Sequence, residues 1–169
     1  MDAETIRGRL DELVARSDAT MIVVTAGDGR RDAGCLVGFH SQSSIDPWRY
    51  TVYLSVENLT YRVARRATHL GVHFLDRDQL GLARVFGERT GDDEPDKLAS
   101  VDRVRASDGI TPLLAGVDGW MLGRIVVRHH ADGDHGVFVL EPVDVCQATS
   151  AAPPLRYHDV TDLSAGHPA

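Results

Sequence analysis

Cysteine is scarce. The 169 residues contain two, Cys35 and Cys146, far apart and outside any C-x-x-C pattern. That excludes a disulfide framework and makes a reducing cytoplasm the expected compartment. Positive charge is short as well. Lys and Arg number 18 against 25 Asp and Glu, a net charge of −7. An acidic chain is a poor partner for nucleic acid or an anionic membrane, since both need a basic patch. A small, locally basic pocket for one phosphate stays open. No apolar run approaches the ~18 residues of a membrane helix. The first 19 residues, MDAETIRGRLDELVARSDA, have no apolar core of a signal peptide. No solenoid-length repeat is found. G-x-x-x-x-G-K-[ST] and G-x-S-x-G are absent, and the G-x-G of GDGRRD lacks a third glycine. P-loop, dinucleotide-fingerprint and serine-hydrolase readings therefore lack their motifs.

What is there suits one domain over 1–169. The chain is 43% hydrophobic and 25% charged, and at this length roughly 70% of the unfolded surface is expected to be buried. Ile6, Leu10, Leu13 and Val14 share one helical face, predicting an amphipathic N-terminal helix within 1–17. Two apolar stretches flank Gly27-Asp28-Gly29, a hairpin signal. Residues 50–56, 69–75, 120–130 and 135–145 read as strands. Residues 59–68 read as a short helix capped by Asn58, and Asp78 is the expected cap of another. The polar stretch 87–97 reads as a mobile surface loop. From 147 to 169 the chain turns small and Pro-rich, an arm more than a core element. About six strands without βαβ units predict a mostly antiparallel sheet, closed into a small barrel with peripheral helices.

Four histidines are candidate metal ligands. His69 and His73 are four apart, and His129 and His130 are adjacent. On a strand the first two would lie ~13 Å apart, too far to share an ion. With no H-E-x-x-H or Cys/His cluster, no metal site is expected. The plain reading is surface or half-buried histidines, with Cys35 and Cys146 as small core residues. A better site signal is GCLVGFHSQSSIDP at 34–47. A strand running into a hydroxyl-rich bend, His40-Ser41-Gln42-Ser43-Ser44, gathers donors for a phosphate. Asn58, Thr60, Arg62, Arg65 and Arg66 follow in one short segment. The competing reading is ordinary loop and cap chemistry. Gly133-Asp134-His135 opens a strand: the plain reading is a common turn and a solvent-facing strand histidine, the functional one a barrel-rim histidine that hydrogen-bonds a nicotinamide or flavin edge.

In order, these segments resemble the flavin reductase family of FMN-binding split-barrel proteins. Ala33 to Pro47 aligns without a gap to the family's AGMTVSSFTSVSLDPP, with Leu36-Val37-Gly38-Phe39 where T-x-S-S is usual. Asn58-Leu59-Thr60 matches the polar pair after the next strand. LGVHFLDRDQLGLARVFG resembles F-x-V-N-x-L…Q-x-x-L-A-x-x-F, with His73 at the asparagine. Asp96-Lys97-Leu98, Pro112 to Gly116, Gly133-Asp134-His135 and Pro154 to Tyr157 follow in the family's order, over roughly 15–160.

The resemblance implies an antiparallel, Greek-key-type split β-barrel with peripheral helices. It implies an oxidoreductase passing hydride from NAD(P)H to flavin, in a groove closed by a homodimer, possessing a monooxygenase as possible partner. FMN is the expected cofactor. FAD, the deazaflavin F420 and haem also suit split barrels, and a flavin-binding protein without reductase turnover is a further alternative. Backbone N–H groups near Val37 and Gly38 would face the flavin ring. Ser41, Ser43, Ser44, Asn58, Thr60 and Arg65 would hold the phosphate, and His135 would contact nicotinamide or flavin. Lys97 is a weaker candidate, read more simply as a solvated loop lysine.

Overall fold

The structure is a computed structural model that describes residues 1–88, 97–130 and 132–163. The chain runs α1 (Ala3–Ala15), β1 (Ile22–Gly27), β2 (Asp32–Val37), β3 (His40–Ser44), β4 (Arg49–Ser55), α2 (Leu59–Ala64) and β5 (His69–Phe74). It continues with α3 (Leu80–Glu88), β6 (Arg103–Arg105), β7 (Pro112–Leu114), β8 (Trp120–His130) and β9 (His135–Cys146). Seven strands form one antiparallel sheet in the order β2-β1-β5-β8-β9-β4-β3, and β6 pairs with β7. The six long strands lie where the hydrophobic pattern puts them. β3, β6 and β7 are short, and the pattern alone does not mark them.

The two end strands of the large sheet, β2 and β3, are consecutive in the chain and separated only by Gly38 and Phe39. The sheet must therefore curl until its ends meet. Yet no ladder joins β2 to β3, so the closure expected from strand count is incomplete. The barrel is split where β2 departs.

One core fills the inside of the curl: Ile22, Val24, Val52, Leu54, Leu70, Val72, Phe138 and Leu140, with Leu59, Val63 and Ala64 from α2. Helix α2 thus plugs the barrel rather than decorating its periphery. A second core covers the other face of β1 and includes Val23, Leu75, Ala83, Phe86, Leu114 and Val117. The C-terminal arm belongs to it. Leu155 and Val160 are buried, and bridges Thr20–Arg156 and Asp76–Pro154 stitch the arm down. The arm is core-forming up to residue 163, the last described.

Several local expectations change. The cap before α3 is Asp76, whose N–H donates to Gln79 Oε1 at 2.9 Å, with Asp78 two residues further on, inside the first turn. Asn58 holds the N-cap position of α2 but makes no side-chain capping bond. Cys146 is exposed while Cys35 is buried. The predicted loop at 87–97 lies mostly outside the described residues, as do Asp96, Ala131 and the end of the arm after 163. Helix α1 forms as predicted, but none of its residues is buried. No helix among the described residues is long and apolar enough to cross a membrane.

Candidate functional site

The site is set by strand alternation. On β4, Tyr50, Val52 and Leu54 enter the barrel core, so Thr51, Tyr53 and Ser55 occupy the opposite face. On β9, Phe138 and Leu140 enter the core, which leaves His135, Val137 and Val139 outside. Register then pairs Ser55 with His135 and Tyr53 with Val137. Just before β3, the Phe39 carbonyl accepts from Tyr53 N–H at 3.0 Å. The Phe39 ring, 59% exposed, sits 5.2 Å from the His135 ring, the two planes tilted by 56°. Phe39, Ser55 and His135 thus meet at the split, with Gly38 immediately before Phe39.

His135 is oriented from behind. Its Nδ1 lies 2.6 Å from the Asp134 carboxylate, which holds the Asp134 carboxyl below the usual carboxylate range. A proton on Nδ1 donated to that carboxylate leaves Nε2 for a ligand. The hairpin is tied to β4 by Val56 N–H donating to the Asp134 carbonyl at 2.9 Å. Between these groups, Ser55 is 5% exposed and its hydroxyl has no hydrogen-bond partner. A buried hydroxyl left unpaired is costly, and native structures leave few of them. Nothing in the sequence flags Ser55 beyond its place on the polar side of β4.

The other predicted residues separate into groups. Val37 is buried and Gly38 half-buried at the end of β2. Asn58 stands at the start of α2, its N–H donating to the Ser55 carbonyl at 3.0 Å, with its side chain free of any capping role. Thr60 is 1% exposed and bonds the Cys35 thiol, whose pKa burial pushes up. Arg65 is exposed, its guanidinium 6.0 Å from the centre of the Tyr61 ring. Ser41 is exposed, and the Ser43 hydroxyl accepts from Thr51 at 2.7 Å. Ser44 pairs with Arg49, at the far end of β4 from Ser55. Counted along β4 at ~3.3 Å per residue, Ser44 opposite Arg49 lies roughly 20 Å from Ser55, and Ser41 opposite Thr51 lies roughly 13 Å from it. The two hydroxyl groups predicted to share a phosphate therefore do not meet within one protomer.

His40 turns away from the serine bend. Its Nε2 donates to the Thr20 carbonyl at 2.7 Å and its Nδ1 accepts from Tyr50 at 2.6 Å. Burial holds the His40 pKa down and pushes Tyr50 up to about 12. Both groups are neutral spacers. His73 is fully buried, correcting its reading as a surface or half-buried residue. Lys97 is 5% exposed, with its ammonium 5.7 Å from the centre of the Phe86 ring, so it is not a solvated loop lysine. Among the described residues, no three His, Cys, Asp or Glu side chains are placed to hold a metal ion.

Residues 14–163 match the family model described as "Flavin reductase like domain". No curated protein matches the chain by sequence. Solved structures do match by fold. A flavin reductase domain protein of Arthrobacter sp. FB24 superposes with a TM-score of 0.77 at 24% identity, over 90% of this chain and 91% of that one. A nitrilotriacetate monooxygenase component B homologue of Mycobacterium thermoresistibile gives 0.72 at 21% identity, over 90% and 83%. An NADH:FAD oxidoreductase of Streptomyces globisporus gives 0.71 at 21%, over 80% and 78%. The chain spans about half, 51%, of a longer Sinorhizobium meliloti 1021 protein with a TM-score of 0.73 at 22% identity, over 93% of its own length.

Proposed function

The chain belongs to the flavin reductase-like family, and from that premise we propose that it is an NAD(P)H-dependent flavin oxidoreductase working in the cytoplasm with FMN. Within this structure, the observation that carries the reading is the buried, unpartnered Ser55 hydroxyl beside His135 and Phe39. These residues fit a flavin. Phe39 offers an exposed aromatic face, Ser55 an unsatisfied hydroxyl, Asn58 a free amide, and the end strand β2 an edge without a ladder near Val37 and Gly38. Bound FMN would supply the two-electron acceptor for a nicotinamide hydride.

The protein's own part is to hold two planar groups in register and exclude water. Ser55 and Asn58 would hold the cofactor. Backbone N–H groups near Gly38 would face the ring as fixed dipoles, which need no reorganisation. His135, its Nδ1 engaged by Asp134, would present Nε2 to the nicotinamide or the flavin edge. Ser41, Ser43, Ser44, Thr60 and Arg65 are spread over two regions, so they serve one ligand only through different parts of it or through a second copy. A homodimer is part of the proposal. Phe39, Tyr53, Val127, Val143 and Val145 are exposed on the split barrel, and a second copy would cover them. Delivery of reduced flavin to a monooxygenase is proposed on the likeness to a monooxygenase component B.

A second reading keeps the fold and changes the cofactor. Leu36-Val37-Gly38-Phe39 has no hydroxyl where T-x-S-S has three, two of which usually help hold flavin. FAD, F420 or haem, or flavin binding without turnover, then replaces FMN reduction. The absorption spectrum of purified protein separates these, followed by NADH and NADPH oxidation with FMN, FAD and riboflavin. A flavin spectrum with no nicotinamide oxidation overturns the reductase, and a Soret band moves the reading to haem.

Two substitutions test the residues. Ser55→Ala should weaken FMN binding about tenfold, the worth of one hydrogen bond. The apoprotein should be no less stable, because an unpaired buried hydroxyl is removed. His135→Ala should lower NAD(P)H turnover about tenfold with flavin affinity unchanged. Wild-type turnover in that variant would remove His135 from the nicotinamide contact.

A further inference from the structure

A cavity of about 320 Å3 opens beside the β1–β2 turn, lined by Gly29, Arg30, Arg31, Asp32, Arg105, Gly109 and Ile110. It takes no part in the site above. The turn is built to hold its shape. Asp28 N–H donates to the Arg31 carbonyl at 3.2 Å. The Asp28 carboxylate accepts from Arg30 N–H at 3.0 Å and Arg31 N–H at 2.8 Å. Gly29 supplies the left-handed φ of +79° that closes it. Consecutive arginines thus leave a fixed backbone.

The carboxylates nearby are already engaged. Asp28 pairs with Arg66 at 2.8 Å. Asp108 accepts from Ile110 N–H and from Thr111 and faces His69 at 3.4 Å. Asp32 grips Arg105 through both oxygens at 2.9 Å, and Arg105 also donates to the Ile110 carbonyl. Arg105 is thereby held in one orientation, with two of its five N–H donors still unassigned. Among the described residues, the guanidinium groups of Arg30 and Arg31 make no hydrogen bond or ion pair. The lining therefore carries three guanidinium charges against one carboxylate, in a protein of net charge −7.

We propose that this cavity is a binding site for a phosphate dianion, carried as a phosphomonoester or a diphosphate. Planar guanidinium forks from one strand (Arg105) and a turn (Arg30 and Arg31) suit a tetrahedral group with several oxygens better than a two-oxygen carboxylate. The volume is about ten times a water molecule's share of liquid, ~30 Å3, which leaves room for a group attached to the phosphate. Two sources share this chemistry: a free diphosphate, or the 2′-phosphate of NADPH. The second alone rests on the reductase reading.

The test is calorimetric titration of the full chain with inorganic pyrophosphate at low ionic strength, where exposed charges are least screened. Wild type should bind one equivalent saturably, and Arg30→Gln/Arg31→Gln should weaken binding at least tenfold. Melting temperature should not move, because both side chains are exposed. Arg30→Lys/Arg31→Lys keeps the charge and loses the forks, so it should bind with intermediate affinity. No saturable heat with wild type, or equal binding by the Gln variant, overturns the site. A protein that binds pyrophosphate but reduces no flavin keeps the site and loses the reductase. NADPH and NADH binding then identifies the source. A loss confined to NADPH in the Gln variant assigns the cavity to the co-substrate, and an unchanged ratio assigns it to a free phosphate. Both results keep the site.

Discussion

Lowering the pH from 6.5 to 4 should cost the fold about 3 kcal/mol, and His73 should account for most of it. His73 is 0% exposed. Its Nδ1 donates to the Val23 carbonyl at 3.1 Å, and its Nε2 accepts from Leu114 N–H at 3.0 Å. That geometry requires the neutral ring. Burial pushes its pKa down to about 4, while the unfolded chain titrates near 6.5. The unfolded state therefore takes up a proton first as pH falls. Stability is full above pH 6.5 and is lost progressively down to about 4, at ~1.4 kcal/mol per unit. His40 is displaced in the same direction and adds a smaller loss in the same window. The carboxylates lowered by hydrogen bonds, such as Asp28 and Asp108, lose their contribution at lower pH. Urea unfolding at pH 7, 6, 5 and 4 reads the slope. His73→Asn keeps one donor and one acceptor but does not titrate. It should flatten the curve to the part left by His40. An unchanged slope in that variant would show that His73 is not the titrating group.

Gly71→Ala should destabilise the protein by about 3 kcal/mol or more. An added methyl group would drive into the Thr25 hydroxyl and stand 3.1 Å from both His73 Cε1 and Leu113 Cδ2. None of these can give way cheaply. Thr25 is fully buried and donates to the Pro112 carbonyl at 2.6 Å. His73 is pinned at both nitrogens. Overpacking a filled core costs ~1–3 kcal/mol, and displacing a buried hydrogen bond adds ~1–3 kcal/mol. Denaturant unfolding of Gly71→Ala, Thr25→Ala and the double variant gives the coupling. The double variant should be more stable than the sum of the two losses predicts. Simple additivity would mean that the methyl group does not collide with Thr25.

Most of the barrel was legible because its strands alternate or run apolar, and Asp28-Gly29 marks its first turn. The short β3, β6 and β7 were not, since three to five residues carry too little periodicity. Helix α2 is amphipathic enough to be found, but its place inside the barrel depends on the curl of a sheet that only register reveals. For the site, His135 and Asn58 lie close to the split, whereas Ser43 and Ser44 lie a strand length away. Sequence proximity hid that gap, because a hairpin carries residues apart before it brings others back. Ser55 was invisible for a different reason. An unpaired hydroxyl is a property of its surroundings, and its surroundings come from β9, 80 positions later. Lys97 and His73 were misread alike, polar residues that the fold buries with partners.

The pairing of β4 with β9 also bears on the order of folding. Tyr50 meets Leu140, 90 positions downstream. During synthesis the β3–β4 hairpin is made early, but one edge of β4 has nothing to pair with until β9 has emerged. Long-range strand pairing slows folding and leaves hydrogen-bonding edges open meanwhile. Loss of β9 would leave that edge bare, and nascent chains truncated before residue 135 should aggregate, by light scattering, where chains carrying β9 stay dispersed.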